Sequence, residues 1–313
     1  MLSQAVTAVI KKAELMRRIL VTGGTGFVGA RTVSALQAAG HRVRVFDLSP
    51  RPERLASAAS VEITCGDISD PAAVAAAVEE CDGIIHPAGL MTLDCARDPA
   101  LAAKVNLIGS INVFEAAKQR RLPVAFLSTA GVFGPQDGVH PRPMTIYGAT
   151  KLAVEGVARA FFADHGISSL ALRPYIIYGP GISSGIAAGP SIAISACVRR
   201  EPAEIRFSGR VGFVYVDDVG LMLAAAMTAP LEGATALTMA GETAEMDAFV
   251  GELCRQSDWS QISINGKALS IPADLSSDPV PAFLGPQPVT GIAAGIAQSL
   301  TELQGLGQRR AIV

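Results

Sequence analysis

Thr22-Gly23-Gly24-Thr25-Gly26-Phe27-Val28-Gly29 stands between an apolar run, Arg18-Ile19-Leu20-Val21, and a helix-like run, Ala30 to Ala39, closed by Gly40. The stretch reads as strand, glycine turn, helix. Glycines at 23, 26 and 29 let the backbone turn tightly and approach a bulky anion. The helix opening at Phe27 and Val28 then offers free N–H groups and partial positive charge to that anion. This is the pattern of a dinucleotide-binding turn. Val43-Arg44-Val45-Phe46 reads as the second strand and ends in Asp47. An acid there can accept hydrogen bonds from both ribose hydroxyls of an adenosine, which favours NAD over NADP. Arg51, close after Asp47, keeps NADP open.

The chain has 313 residues, half of them hydrophobic, and a net charge of −2. The length allows one large domain or two smaller ones. The charge gives no electrostatic case for nucleic acid or an anionic membrane surface as partner. Cys65, Cys81, Cys95, Cys197 and Cys254 are odd in number and scattered, with no CxxC pair. They read as reduced thiols of a cytoplasmic protein, with neither a disulfide framework nor a metal site. Pro174 to Val198 carries no charge, but three prolines interrupt it, so it reads as a loop and lid around a ligand and not as a membrane span. Residues 1–15 precede the natural first strand, and Met16-Arg17-Arg18 would be an ordinary beginning. We read 1–15 as an N-terminal extension and Met16 as an alternative or true start.

Further along, Val61 to Cys65 reads as a third strand leading into Gly66-Asp67-Ile68. Asp67 sits where an adenine amino group can be bound; its alternative is to cap a helix, although Asp70-Pro71 already does that well. Cys81 to Ile85 reads as a fourth strand opening into His86-Pro87-Ala88-Gly89, small residues against which a flat cofactor can lie. A histidine at a strand end is more often structural than catalytic, and His86 is read so. Asp98-Pro99 starts a long helix carrying Asn106 at its middle, a poor place for asparagine unless it is exposed or makes a backbone or water contact. Val124 to Leu127 is the fifth strand, ending at Ser128-Thr129.

Tyr147 and Lys151 then open the next helix, four residues apart on one face. A lysine ammonium near a phenol favours the phenolate, and an oxidised nicotinamide adds a second positive charge. A tyrosine tuned in this way can exchange a proton near neutral pH. A Tyr-x-x-x-Lys pair alone is weak. After a glycine turn, an acid behind the second strand and hydroxyls behind the fifth, it is strong.

From about Arg18 to Gln308 the chain resembles the extended short-chain dehydrogenase/reductase family, the nucleotide-sugar epimerase and dehydratase group. The likeness covers the glycine turn, Asp47, Gly66-Asp67-Ile68, His86 to Gly89, Asn106, Ser128 to Gly134, Tyr147 to Lys151, Leu172 to Gly181 and Phe213 to Val219. The resemblance implies Tyr147 as catalytic acid/base and Lys151 as the group that lowers its pKa and holds the nicotinamide ribose. It implies that Thr129 bonds the reacting oxygen and that Asn106 supports a water relay to Lys151. Pro174, Ile176 and Ile177 would contact nicotinamide. Phe133 stands where the family often has tyrosine, and Gly89 where it often has alanine. Arg210, matching an arginine that grips a substrate phosphate, lies one residue further from its strand than usual. Arg199, Arg200 and Arg206 are further cations for a diphosphate. Ala130 and Gly131 occupy the positions of the Asp-Glu pair of dehydratases, which disfavours dehydration.

The expectation is therefore a Rossmann-type doubly wound parallel α/β sheet with a small C-terminal lobe. Residues 16–181 form the NAD-binding part, to which 211–240 return; 182–210 and 241–313 form the substrate-binding lobe. The function expected is reversible hydride transfer between NAD and a secondary hydroxyl of a sugar or nucleotide sugar. The chain is an epimerase if the keto product stays bound and a dehydrogenase of a free sugar or sugar acid if it leaves. A non-catalytic dinucleotide-binding regulator is the remaining alternative. The resemblance further implies a homodimer paired through the helices at 99–119 and 149–163.

Overall fold

The computed structural model describes residues 16–286 and 289–311; the extension read at 1–15 lies outside the described residues. Seven strands form the main sheet: β1 (Arg18–Thr22), β2 (Arg42–Asp47), β3 (Glu62–Cys65), β4 (Gly83–His86), β5 (Val124–Leu127), β6 (Ser169–Pro174) and β7 (Ala234–Met239). Their order is β7-β6-β5-β4-β1-β2-β3. Every neighbouring pair is parallel. The chain builds outward from β1 to β3, then crosses back and builds the other way from β4. Beyond the carboxyl ends of β1 and β4 this reversal leaves a crevice, the place where open parallel sheets hold ligands.

Helices cover both faces, and the central strands β1 and β4 are buried on both sides for that reason. In β1, Ile19 and Val21 join one core cluster while Leu20 joins the other. All three are fully buried. Burying a side chain of this size stabilises the fold by roughly 1.5–3 kcal/mol, so the run is held from both sides. The helix Phe27–Ala38 lies on the first face, against the helix Val216–Thr228. Gly220 lets these two helices approach, since a Cβ there would meet the Arg31 backbone at 2.9 Å.

The rest of the C-terminal region is built on a second, three-stranded sheet. Ile176–Tyr178 runs parallel to Arg210–Tyr215, which is antiparallel to Glu242–Glu245. The strand Arg210–Tyr215 thus belongs to this small sheet, and the return to the main body begins with the helix that follows it. Ala203–Ile205 and Ile262–Ile264 pair separately. An aromatic cluster joins these parts: Phe213 and Phe249 stack at 4.6 Å, and Tyr178 meets Phe249 edge-on at 5.5 Å. The C-terminal helix Ile292–Ala311 reaches this cluster at Gly295, where a Cβ would lie 2.0 Å from the Tyr178 hydroxyl. Among the described residues no helix is long and apolar enough to cross a membrane.

Candidate active site

The glycine turn has the geometry its spacing suggests. Gly23 takes φ +60°, and a Cβ on it would crowd the Ala88 backbone at 3.0 Å. A Cβ on Gly29 would strike the Gly23 carbonyl at 2.1 Å, so the helix can start this close to β1 only with glycine there. Gly26 is the N-cap, with no side chain to satisfy the first turn. The N–H groups of Phe27, Val28 and Gly29 are therefore left for an anion.

Asp47, at the end of β2, faces this turn. Its Oδ2 accepts from the Thr25 hydroxyl at 2.6 Å and the Thr25 N–H at 3.1 Å, and its Oδ1 accepts from Ser49 N–H at 3.1 Å. One lone pair of Oδ1 remains for a ribose hydroxyl. Thr25 is the residue that sequence reading missed here; its hydroxyl fixes the carboxylate. Asp67 accepts from Ser69 N–H through Oδ1, and Asp70 takes the capping role of the next helix. Ile68 packs against Gly109.

His86, at the end of β4, is 1 % exposed. Its Nδ1 lies 2.7 Å from Thr22 Oγ1 and its Nε2 3.0 Å from Ser110 Oγ. Ser110 already donates its only proton to the Asn106 carbonyl. Nε2 must then carry the ring proton and donate to Ser110, while Nδ1 accepts from Thr22. Burial first, and the Lys151 charge second, pull His86 down to about 3, so the ring is neutral. This is the structural role expected of it.

Asn106 lies in one π-helical turn, Ala103–Ile108, within the helix that starts at Pro99. Its amide clamps both backbone groups of Leu90: Oδ1 accepts from N–H at 2.7 Å and Nδ2 donates to C=O at 3.1 Å. The backbone contact is the reason asparagine stands mid-helix. Gly89, one residue earlier than Leu90, is closely approached: a Cβ there would lie 2.9 Å from Asn106 Oδ1 and 3.5 Å from Lys151 Nζ.

Beyond β5, Ser128 is buried and donates to Glu155 Oε1 at 2.5 Å. Thr129 Oγ1 instead accepts from Gly131 N–H at 3.0 Å, which leaves its own proton free to donate. The helix Ile146–His165 starts directly against this turn, since a Cβ on Gly148 would lie 2.2 Å from the Gly131 carbonyl. That approach brings the Tyr147 end of the helix to the turn of Thr129. Lys151 Nζ lies 5.8 Å from the centre of the Tyr147 ring. Burial pulls the Lys151 ammonium down to about 8. It also pushes the Tyr147 phenol above its ordinary range, with Cys95 adding to the rise. The direction at Tyr147 is opposite to the one expected from the lysine: desolvation by burial sets it.

Sequence reading also missed what lies beneath Thr129. Glu155, with its side chain 1 % exposed, takes both Arg173 Nε at 2.8 Å and Arg173 Nη2 at 2.5 Å. Arg173 in turn lies over the Phe133 ring at 5.2 Å. The available signal was Glu155 standing four residues beyond Lys151 on the same helical face. Pro174 ends β6, Ile176 is buried in the core and Ile177 is half-buried. Arg210 is ion-paired to Asp274 at 2.6 Å on the surface of the lobe. Among the described residues no group of three or more metal-ligating side chains comes together.

The family model described as NAD dependent epimerase/dehydratase family matches residues 19–239. The chain belongs to this family. The 3 beta-hydroxysteroid dehydrogenase/Delta 5→4-isomerase of Mycobacterium tuberculosis (strain ATCC 25618 / H37Rv) is 35% identical over 181 residues, 52% of this chain and 48% of that protein. The UDP-glucose 4-epimerase of Azospirillum brasilense is 30% identical over 172 residues, 52% of this chain and 49% of that protein. The chain thus matches over about half the length of these curated relatives. The crystal structure of Thermus thermophilus UDP-glucose 4-epimerase in complex with NAD matches with a TM-score of 0.78 and 26% identity, over 92% of this chain and 99% of that one. As a member of an NAD-dependent epimerase/dehydratase family, the chain carries the turn, the Asp47 carboxylate and the open helix N-terminus that fit NAD.

Proposed function

We propose that this chain is an NAD-dependent oxidoreductase acting on a secondary hydroxyl of a sugar-like or other ring alcohol that carries no diphosphate. The observation that carries the reading is one continuous set of close approaches across the crevice. Gly23 meets Ala88, Gly89 meets Lys151, Lys151 lies by Tyr147, and Gly148 meets the turn of Thr129. Dinucleotide turn and proton-transfer groups therefore share one wall.

The glycine turn, Asp47, Asp67, Ile68 and the Pro87-Ala88-Gly89 segment would hold NAD, with Lys151 donating to its nicotinamide ribose. The chemistry a bound NAD supplies here is acceptance of hydride from the alcohol carbon. Thr129 donates to the alcohol oxygen and aligns it. Tyr147 takes the hydroxyl proton as the carbonyl forms. Lys151 favours the phenolate that receives that proton. Asn106 fixes Leu90, and with it the Gly89 backbone beside Lys151.

The absence of a diphosphate in the substrate is supported by the lobe arginines. Arg199 pairs with Glu201, Arg206 with Glu204 and Arg210 with Asp274, while Arg200 donates to the Asp258 carbonyl and lies over Trp259. Each of these cations has a partner within the lobe, Arg199, Arg206 and Arg210 in solvent-exposed pairs. A nucleotide-sugar epimerase is the second reading, favoured by the likeness to the Thermus enzyme over nearly the whole chain. A homodimer is also proposed, supported by Leu101 and Ile108, exposed at 42% and 47% on the helical region expected to pair.

Absorbance at 340 nm with NAD and a panel of free sugars, aldonic acids, ring alcohols and nucleotide sugars tests the reading. Net NADH with an unphosphorylated alcohol is the expected result. NAD-dependent interconversion of a nucleotide sugar without net NADH would replace it with the epimerase.

A further inference from the structure

Tyr147, Lys151 and Glu155 stand four residues apart along the helix Ile146–His165 and share one face. The first two carry the chemistry proposed above. The third is buried beneath the turn of Thr129, its side chain 1 % exposed. Glu155 holds that turn at both ends. Before Thr129, Ser128 Oγ donates to Glu155 Oε1 at 2.5 Å. After it, the Phe133 ring lies 5.2 Å from the Arg173 guanidinium, and Arg173 donates to both oxygens of Glu155, at 2.8 Å and 2.5 Å. One carboxylate thus ties residues 128 and 133 to the helix of Tyr147 and Lys151. Between the two ties lie Thr129 and the short helical turn Ala130–Val132.

Stability does not call for this arrangement. An ion pair taken out of water is no better, on balance, than well-packed apolar side chains of the same volume. Its bonds are directional, however, and a buried polar network whose members are satisfied holds one geometry. Ser128, Glu155 and Phe133 are each 2 % exposed, so water does not compete at these ties. The Thr129 hydroxyl needs such a geometry, because a reacting group misplaced by about 1 Å can lose about 10²-fold in rate.

We propose that Glu155 is a positioning residue for the reaction: through Ser128 at one end and the Arg173–Phe133 stack at the other, it sets the Thr129 hydroxyl in register with Tyr147. The proposal rests on the function proposed above for Thr129 and Tyr147. Glu155 acts only through the turn it holds. Losing the Ser128 hydroxyl cuts one tie and leaves the turn held at Phe133. Losing the carboxylate together with Arg173 releases both ends at once.

Glu155→Leu combined with Arg173→Leu tests this, because it cuts both ties and leaves no charge in the interior. Hydrogen exchange of the ligand-free protein reads the first arm. Residues 128–134 exchange at least about tenfold faster in the double variant while the strand Arg42–Asp47 is unchanged; exchange of 128–134 at the wild-type rate overturns the proposal. Steady-state kinetics with the most active alcohol of the panel reads the second. The kcat falls by about 20- to 100-fold while NADH affinity stays within about threefold of wild type; kcat within about threefold of wild type overturns the proposal. Thr129→Ala added to the double variant costs at least about tenfold less in kcat than it costs in the wild type, since the hydroxyl is already displaced. An equal cost means that Glu155 does not act through Thr129 and overturns the proposal. Should the double variant lack a cooperative unfolding transition, Ser128→Ala combined with Phe133→Leu cuts the same two ties, leaves the ion pair in place and is read by the same criteria. If no panel member turns over with the wild type, it is the function proposed above that fails, and hydrogen exchange decides whether Glu155 holds the turn.

Discussion

Ser128 Oγ donates to Glu155 Oε1 at 2.5 Å, and that bond decides which of two adjacent hydroxyls is free for chemistry. Ser128 is committed to the interior. Thr129 keeps a proton to donate because its own oxygen accepts from Gly131 N–H. If Thr129 donates to the reacting oxygen as proposed, Thr129→Ala should lower kcat for alcohol oxidation by about 10²–10³-fold. Ser128→Ala should leave kcat within about fivefold and instead lower stability by roughly 1–2 kcal/mol. Steady-state kinetics and urea unfolding of both variants check this. Equal kinetic losses would mean that the two hydroxyls are not divided in this way.

Glu155 and Arg173 form a buried ion pair under the site. Arg173→Leu strands the Glu155 carboxylate in the interior and should cost about 3–5 kcal/mol of stability. Replacing both with leucine should recover most of that loss, because no charge is left to desolvate. Denaturant unfolding of the single and double variants measures it. A double variant as unstable as the single one would show that the pair stabilises beyond compensating its own burial.

His86 makes the fold sensitive to acid. Its pKa falls from 6.5 to about 3 on folding, so between those values the unfolded chain binds the proton and the folded chain does not. Stability contributed by neutral His86 is present above pH 6.5 and is lost as pH falls below it, at up to about 1.4 kcal/mol per pH unit. Urea unfolding at pH 6.5 and pH 5.0 should show a loss of roughly 2 kcal/mol in wild type that is absent from His86→Gln. The same slope in both proteins would place the acid sensitivity elsewhere.

Much of this was legible in the sequence because the signals are local. The glycine turn, the acid ending β2 and the Tyr147–Lys151 pair each fit within a few residues and follow from turn, strand or helix periodicity alone. The misses are non-local. The partner of Arg210 is Asp274, far along the chain in a proline-rich loop, and no periodicity connects them. The Glu155–Arg173 pair needs the knowledge that β6 passes beneath the helix Ile146–His165. The three-stranded sheet escaped because Ile176–Tyr178 is three residues long and follows β6 after a single residue. The rise at Tyr147 was missed because a spacing of four reveals the neighbouring charge but not the depth of burial.

Lys151 Nζ lies 5.8 Å from the Tyr147 ring centre, and a charged ammonium there favours the phenolate, so the loss of Lys151 should appear in the pH profile of oxidation. Removing the cation raises the pKa of Tyr147, the group proposed to accept the alcohol proton. In Lys151→Met the alkaline rise of kcat/KM should move up by at least about one pH unit. An unmoved profile would separate Lys151 from the titration of Tyr147.

Tyr147→Phe tests the central claim most directly, with turnover followed at 340 nm and NADH binding followed by its fluorescence. NADH binding should stay within about threefold of wild type, since the hydroxyl is one contact among many, while turnover falls by about 10²–10⁴-fold for want of the proton acceptor. Turnover within tenfold of wild type, with NADH still bound, would contradict proton transfer by Tyr147 and with it the reaction assigned to this crevice.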